Sequence, residues 1–165
     1  WTAIAINSAG CTRILAGIVT DLGGTLPTAF SVTGGGSFCA GGSGVAVGLG
    51  GSQTGVNYQL KRDGTDVGSP VAGTGAAISF GNQTVAGTYT VVATNSSTGC
   101  TATMTSSATV TVNPLPTQFS VTGGGSVCGA GTVAVGLSGS QSGVNYQLKR
   151  DGTNVGSAVA GTGSA

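Results

Sequence analysis

Apolar and small polar residues alternate with a period of two along many short stretches of this chain. The alternating apolar positions form six runs: Phe30 and Val32; Val45, Val47 and Leu49; Val56, Tyr58 and Leu60; Ile78 and Phe80; Tyr89, Val91 and Ala93; and Val110 and Val112. Such alternation places every second side chain on one face of a strand, so it predicts half-buried antiparallel β-strands. Gly, Ser and Asn separate the runs, and no window carries the apolar stripe of a helix. The sequence therefore predicts an all-β fold.

Two blocks of sequence occur twice. Residues 30–37 recur at 119–126, an offset of 89, and residues 55–65 recur without a change at 143–153, an offset of 88. The first residues, 1–7, match the pattern of 89–95. Roughly seven short strands in such a period is the size of an immunoglobulin-like antiparallel β-sandwich. We therefore expect tandem modules of about 89 residues.

The repeat predicts three segments. Residues 1–28 are the C-terminal part of one β-sandwich module, residues 29–117 a complete module, and residues 118–165 the N-terminal part of a third. Pro114 and Pro116 form a linker, because two close prolines end strand pairing and stiffen the joint. Since both chain ends fall inside a module, we expect either a window on a longer tandem array or neighbouring chains that complete each other's modules.

Charged side chains are scarce, which excludes several functions. The 165 residues include five Lys or Arg and four Asp, with no Glu and no His, for a net charge of +1. Five cations cannot neutralise a row of phosphates, so nucleic-acid binding is not expected. No apolar stretch approaches the roughly 20 residues that insert into a bilayer. Without His and Glu, most acid–base and zinc chemistry lacks its usual groups, so we expect no enzyme activity, catalytic residue, metal or cofactor.

The four cysteines occupy two equivalent positions, Cys39 with Cys128 and Cys11 with Cys100. In a chain rich in Gly, Ser and Thr they indicate disulfides formed in an oxidising compartment. Cys39–Cys100 is the natural pair within the complete module. Cys128 of one chain is then free to bridge Cys11 of the next and staple a composite module. If the two positions lie at opposite ends of a sandwich, bridges between adjacent modules are favoured instead.

Several smaller motifs predict local structure. Tyr89, after Gly87 and Thr88, is a candidate tyrosine corner whose phenol bonds back to the preceding turn. Gly34, Gly35 and Gly36 predict a flexible connector between strands. Three acids are too few for a calcium site, so we expect turns at Asp63, Asp66 and Asp151. Two Asn residues satisfy the N-x-Ser/Thr sequon and are candidate glycosylation sites, alongside O-linked sugars on Ser and Thr: Asn82 and Asn95.

One family resemblance rests on three stretches of the complete module. These are Gly-Thr-Tyr-Thr-Val-Val at 87–92, Thr-Gly-Cys-Thr-Ala-Thr at 98–103, and Thr-Val-Thr-Val-Asn-Pro-Leu-Pro at 109–116. They resemble the tandem immunoglobulin-like or PKD-like repeats of very long secreted surface proteins of Bacteroidetes-type bacteria, a family that includes adhesins and type IX secretion substrates. The resemblance implies a β-sandwich spacer in an extracellular stalk, adhesin or fibre, and it identifies no ligand.

The leading hypothesis from the sequence is a structural protein. We expect a segment of an extracellular fibre or stalk of disulfide-stabilised β-sandwich modules, whose partners are copies of itself, head to tail and laterally, and covalent glycans. The alternative is a cell-surface adhesin repeat that binds glycan or another surface through loop residues such as Asn57 and Gln59. The aromatic residues of the chain count against the alternative, because their alternating positions predict that they lie in the core and do not form an exposed binding surface.

Overall fold

Every regular element in the described part of the chain is a β-strand. The computed structural model describes residues 3–15 and 24–165, so parts of the predicted first segment, 1–2 and 16–23, lie outside it. None of the described residues forms a helix of the length and apolarity needed to cross a membrane. The chain divides into two compact units, Trp1–Asn113 and Pro114–Ala165. The predicted all-β fold is confirmed.

The described residues of the first unit form eleven strands. They are β1 Ala3–Ile6, β2 Thr12–Leu15, β3 Val32–Gly34, β4 Gly36–Cys39, β5 Val45–Leu49, β6 Val56–Arg62, β7 Thr65–Ala72, β8 Ile78–Gln83, β9 Gly87–Asn95, β10 Thr101–Thr103 and β11 Ala108–Asn113. β3–β11 form two sheets: one has the order β3-β5-β8, and the other has the order β4-β11-β9-β6-β7, with β10 also paired to β9.

Two long neighbouring strands, β6 and β9, lie inside the larger sheet. β6 and β9 are antiparallel over seven residue pairs, from Val56 opposite Asn95 to Arg62 opposite Tyr89. Because side chains alternate between the two faces, Val56, Tyr58 and Leu60 all point the same way. Their exposed fractions are 4%, 0% and 2%. The apolar residues that alternate in the sequence of β6 thus form the buried face of this sheet.

The module changes sheets at its triple glycine. β3 pairs with β5 in the smaller sheet, while β4 pairs in parallel with β11 in the larger one. Gly34, Gly35 and Gly36, which lie between or within these strands, have φ values of 89°, 83° and 126°. A residue with a Cβ rarely adopts such values, so glycine permits the crossing. A Cβ on Gly35 would also lie 2.7 Å from the carbonyl oxygen of Thr109.

The hydrophobic core lies between the two sheets of the module. Its buried members come from both sheets and the loop before β11: Val32, Val47, Leu49, Val56, Tyr58, Leu60, Tyr89, Val91, Ala93, Met104, Ala108 and Val110. Phe30 and Phe80, two of the aromatic residues that alternate in the sequence, are half-buried against it. The aromatic residues therefore serve the core, as the alternation predicted.

The N-terminal hairpin repeats a piece of the complete module. β1 and β2 pair with Ile4 opposite Ile14, Ala5 opposite Arg13 and Ile6 opposite Thr12. The equivalent pairs in β9 and β10 are Val92 with Thr103, Ala93 with Ala102 and Thr94 with Thr101. Both hairpins therefore have the same register.

The second unit consists of short two-stranded pieces. Its strands are β12 Val121–Gly123, β13 Val135–Leu137, β14 Asn145–Tyr146, β15 Lys149–Arg150, β16 Thr153–Asn154 and β17 Val159–Ala160. β12 pairs with β13 as β3 pairs with β5, and Tyr146 stands opposite Val159 as Tyr58 stands opposite Val71. The predicted linker prolines, Pro114 and Pro116, follow directly on the boundary between the two units.

Candidate functional site

One depression in the first unit is shallow and apolar. Its volume is about 310 Å³, and residues of β3, β5 and β8 with their flanking loop line it, among them Thr33, Val47, Leu49, Ile78 and Ser79. None of the lining residues is ionisable. In the ranges that the structure describes, no three His, Cys, Asp or Glu side chains converge to hold a metal ion. The depression offers apolar contact and hydroxyl groups, and no acid, base or nucleophilic thiol.

The expected Cys39–Cys100 disulfide is wrong, because strand register places the two residues at opposite ends of the larger sheet. Cys39 lies opposite Asn113, the last residue of β11. Cys100 lies beyond the other end of β9, where its carbonyl accepts the Asn95 N–H at 2.9 Å. At about 3.3 Å per residue the two are roughly 35 Å apart, whereas a disulfide needs Cα atoms within about 7 Å. All four cysteines are free thiols in the structure.

The expected staple between Cys128 and Cys11 of neighbouring chains meets the same obstacle. Cys128 takes the position of Cys39 and Cys11 that of Cys100. In a composite module of the same topology they would lie at opposite ends. Of the two arrangements that the sequence left open, bridges between adjacent modules remain the prediction.

The chain enters and leaves the complete module at opposite ends. Gly24 lies beside Cys100, since a Cβ on Gly24 would be 2.5 Å from its Sγ. We call this the Cys100 end. The chain leaves at Asn113, opposite Cys39, which we call the Cys39 end. One cysteine position therefore marks each end of the module.

The hydroxyl groups of Tyr58 and Tyr89 form hydrogen bonds within the module. The Tyr89 phenol donates a hydrogen bond to the Val85 carbonyl at 2.8 Å, so the predicted bond to the preceding turn is confirmed. The Tyr58 phenol accepts the backbone N–H of Gln53 at 2.8 Å. Sequence alternation identified both rings as core, but it carried no signal for the Gln53 contact.

The aspartates have structural partners. Asp63 and Asp151 have φ values of 49° and 51°, as expected in a tight hairpin turn. The Asp63 carboxylate accepts the Thr88 N–H at 2.9 Å. Asp66, predicted in a turn, lies instead in β7, where its carboxylate pairs with the Lys61 ammonium.

The two sequon asparagines differ in their surroundings. Asn82 is exposed on β8, and its amide nitrogen donates to the Ser43 carbonyl at 3.2 Å. The amide oxygen of Asn95 accepts the N–H groups of Ser97 and Thr98 at 3.0 and 3.2 Å, which builds the turn after β9. Asn82 is thus the more accessible candidate for glycosylation.

Gln59 was predicted, with Asn57, to be a loop residue that binds glycan in the adhesin alternative, but its amide forms hydrogen bonds within the module. Its nitrogen donates to the carbonyls of Leu60, Val67 and Gly68 at 2.8, 3.2 and 3.3 Å. These bonds span the irregular register between β6 and β7. Asn57, its neighbour on β6, is exposed. The two residues lie within a strand and not in a loop.

The second unit exposes side chains that the first unit buries. Three of its apolar residues are 70%, 49% and 44% exposed: Val121, Val135 and Leu148. The residues at the equivalent positions of the first unit are 7%, 1% and 2% exposed: Val32, Val47 and Leu60. The second unit, 114–165, stops short of the positions that form β8–β11 in the first unit.

No protein-family model matches this chain, and no curated protein matches it.

Proposed function

We propose that this chain is a structural segment of an extracellular fibre or stalk built from repeated immunoglobulin-like β-sandwich modules. The observation that carries the proposal is the duplication. Residues 55–65 recur without a change at 143–153, and the repeated stretches pair in the same way in both units, since β12 pairs with β13 as β3 pairs with β5.

The strand order supports the immunoglobulin-like assignment. A first strand split between two sheets, with the second half parallel to the last strand, is the arrangement of many such sandwiches. The Tyr89 phenol bond at the start of β9 also fits, since it is the bond of a tyrosine corner. The linker prolines then join rigid modules head to tail.

The positions of charged side chains in the module support a structural role. The ionisable side chains of the described module hold turns and strand ends, as Asp63 and the Lys61–Asp66 pair do. Fibre assembly uses copies of the chain as partners, in head-to-tail and lateral contacts, and needs neither cofactor nor catalysis. Free cysteines near the two ends of a module suit bridges between modules in an oxidising extracellular medium. Sugars on Asn82 and on surface hydroxyls supply the solubility that nine charged residues do not.

Electron microscopy of native material, with antibody labelling for location, tests the proposal. We expect filaments outside the cell with beads at roughly 40 Å spacing, the length of one module. Dispersed particles confined to the cell interior would contradict it. Intact-mass measurement of the same material checks for covalent glycans.

A further inference from the structure

We propose that each module carries a docking site for the linker that precedes it, and that this site confines bending between modules to a few linker residues. The segment that docks has the sequence Leu-Pro-Thr-x-Phe, which occurs at 26–30 and again at 115–119. The inference rests on the proposed function and deepens it, because it names the residues that stiffen the joints of the proposed fibre.

A glutamine side chain holds the threonine of the segment. The amide oxygen of Gln53 accepts the backbone N–H of Thr28 at 2.6 Å. In the second unit, the amide oxygen of Gln141 accepts the backbone N–H of Thr117 at 2.9 Å. The bonded residues are 25 and 24 positions apart in sequence, so neither bond belongs to a local turn. Each bond lies wholly within one unit, and the contact is therefore seen twice.

A glycine in the same loop makes room for the phenylalanine of the segment. A Cβ on Gly51 would lie 2.6 Å from Cδ1 of Phe30, and a Cβ on Gly139 would lie 2.7 Å from Cε1 of Phe119. A larger residue at either position would displace the ring. The glycine precedes the glutamine by two residues, and the phenylalanine follows the threonine by two. The loop and the docked segment therefore run past each other in opposite directions.

The loop that carries the glutamine is fixed by the module itself. In both units the backbone N–H of the glutamine bonds to a tyrosine phenol at 2.8 Å. The preceding serine adds a second tie, since Ser52 Oγ accepts the Thr74 N–H at 3.0 Å and Ser140 Oγ accepts the Thr162 N–H at 3.0 Å. The glutamine amide is thus carried by an ordered loop, which lowers the entropy lost when the linker docks.

Docking leaves a short joint after the complete module. β11 ends at Asn113 and the docking site holds Thr117, so residues 114–116 alone lie between them. Two of these three residues are prolines, whose φ is fixed at about −65°. Asn113 and Leu115 each precede a proline, which restricts them to extended backbone. Release of Thr117 would lengthen the free stretch toward β12, which begins at Val121.

Docking does not require the first proline of the linker. Thr25 takes the place of Pro114, at the offset of 89, yet Thr28 is bound as Thr117 is. Recognition therefore resides in the shared Leu-Pro-Thr-x-Phe segment and its glutamine.

Hydrogen exchange of single amides, measured by NMR on the full chain, tests the docking site. Gln141→Ala removes the acceptor, and we expect the Thr117 N–H to exchange roughly five- to tenfold faster. Gln141→Glu keeps an oxygen at this position, so it should retain the protection of Thr117. Gln53→Ala is the matched control in the other unit, and it should accelerate exchange at Thr28 and leave Thr117 unchanged.

Unchanged exchange of Thr117 in Gln141→Ala would overturn the proposal. The Thr162 amide reports whether the loop stays folded, because it bonds to Ser140 in the same loop. We expect Thr162 to keep its protection in Gln141→Ala. If Thr162 loses protection together with Thr117, the glutamine serves to fold the loop, and the docking role is refuted.

Distances between two spin labels test the stiffness of the joint. The labels are attached to Val85→Cys in the first unit and Asn154→Cys in the second, both exposed positions, with Ser at the four native cysteine positions. We expect Gln141→Ala to broaden the distribution of label distances, and Gln141→Glu and Gln53→Ala to leave its width unchanged. Equal widths in all four proteins would refute the confinement of the joint.

Failure of this inference is distinguishable from failure of the proposed function. Absence of extracellular filaments in native material would remove the proposed function and leave the exchange rates and label distances of the chain as they are. Unchanged exchange and equal widths would remove the docking site and leave filaments in place.

Discussion

Tyr58 and Gln53 are joined by a hydrogen bond of 2.8 Å in which the phenol oxygen accepts a backbone N–H, and Tyr146 and Gln141 repeat it at 2.8 Å. The Tyr58 ring is fully buried. Its hydroxyl therefore fixes the loop before β6 to the core.

Tyr58→Phe keeps the ring and removes the acceptor. We expect the free energy of unfolding to fall by about 1–2 kcal/mol, because the Gln53 N–H loses its partner. Urea unfolding followed by circular dichroism measures the change. Tyr146→Phe is the matched control: its ring is only half-buried, so its effect should be smaller. An equal loss from both variants would contradict this explanation.

Asp63→Ala removes the carboxylate that accepts the Thr88 N–H and places alanine at a φ of 49°. We expect a loss of about 1–2 kcal/mol in unfolding free energy. Asp63→Asn retains both the acceptor and a residue that tolerates this φ, so it should stay within about 0.5 kcal/mol of the unmodified chain. Thermal unfolding of the three proteins in parallel decides the matter, and a destabilised Asn variant would show that charge is what the turn needs.

Gly73→Ala places a methyl group on the carbonyl oxygen of Gln53 and 2.9 Å from the Tyr58 ring. Overpacking of this kind costs about 1–3 kcal/mol, so we expect a clear fall in the urea midpoint. Gly50→Ala is the control, since its methyl group would have no neighbour closer than 3.8 Å. If both variants unfold at the same urea concentration, the Gln53 loop moves aside freely.

Oxidation of the chain should not form a Cys39–Cys100 bridge, because strand register places the two residues at opposite ends of the larger sheet. We expect the disulfides that form to join cysteines of different modules. Peptide mapping without reduction identifies the pairs, and isolated chains at high dilution serve as the control. A Cys39–Cys100 peptide from single chains would contradict the strand register.

The alternation of apolar residues was enough to predict the strands and most of the core. Tyr58, Leu60 and Val91 alternate in the sequence and are buried in the structure. Alternation reports which face of a strand is buried, and it does not report which strands are neighbours. The position of Cys39 relative to Cys100 depends on the parallel pairing of β4 with β11, which joins residues more than 70 positions apart.

The triple glycine shows the same limit. Gly34–36 was predicted to be a connector, but its role in moving the chain between sheets follows from contacts with distant backbone. Gly34 lies against Ala46, and Gly35 against Thr109. Likewise, Met104 is buried by its place in the loop between β10 and β11, where its sulfur accepts the Phe30 N–H at 3.3 Å. No local pattern indicates such a long-range contact.

The parallel pairing of β4 with β11 determines how the module responds to tension. These strands belong to the first and last parts of the module, and they run in the same direction, from Gly36 beside Val110 to Cys39 beside Asn113. A pull on the two chain termini slides β4 and β11 past each other, so their four residue pairs carry the load together in shear. A hairpin pulled from its open end would instead lose its hydrogen bonds one after another. In the proposed fibre, an array of such modules would resist stretching through this ladder, and the rate of its forced rupture would set how long the array lasts under load.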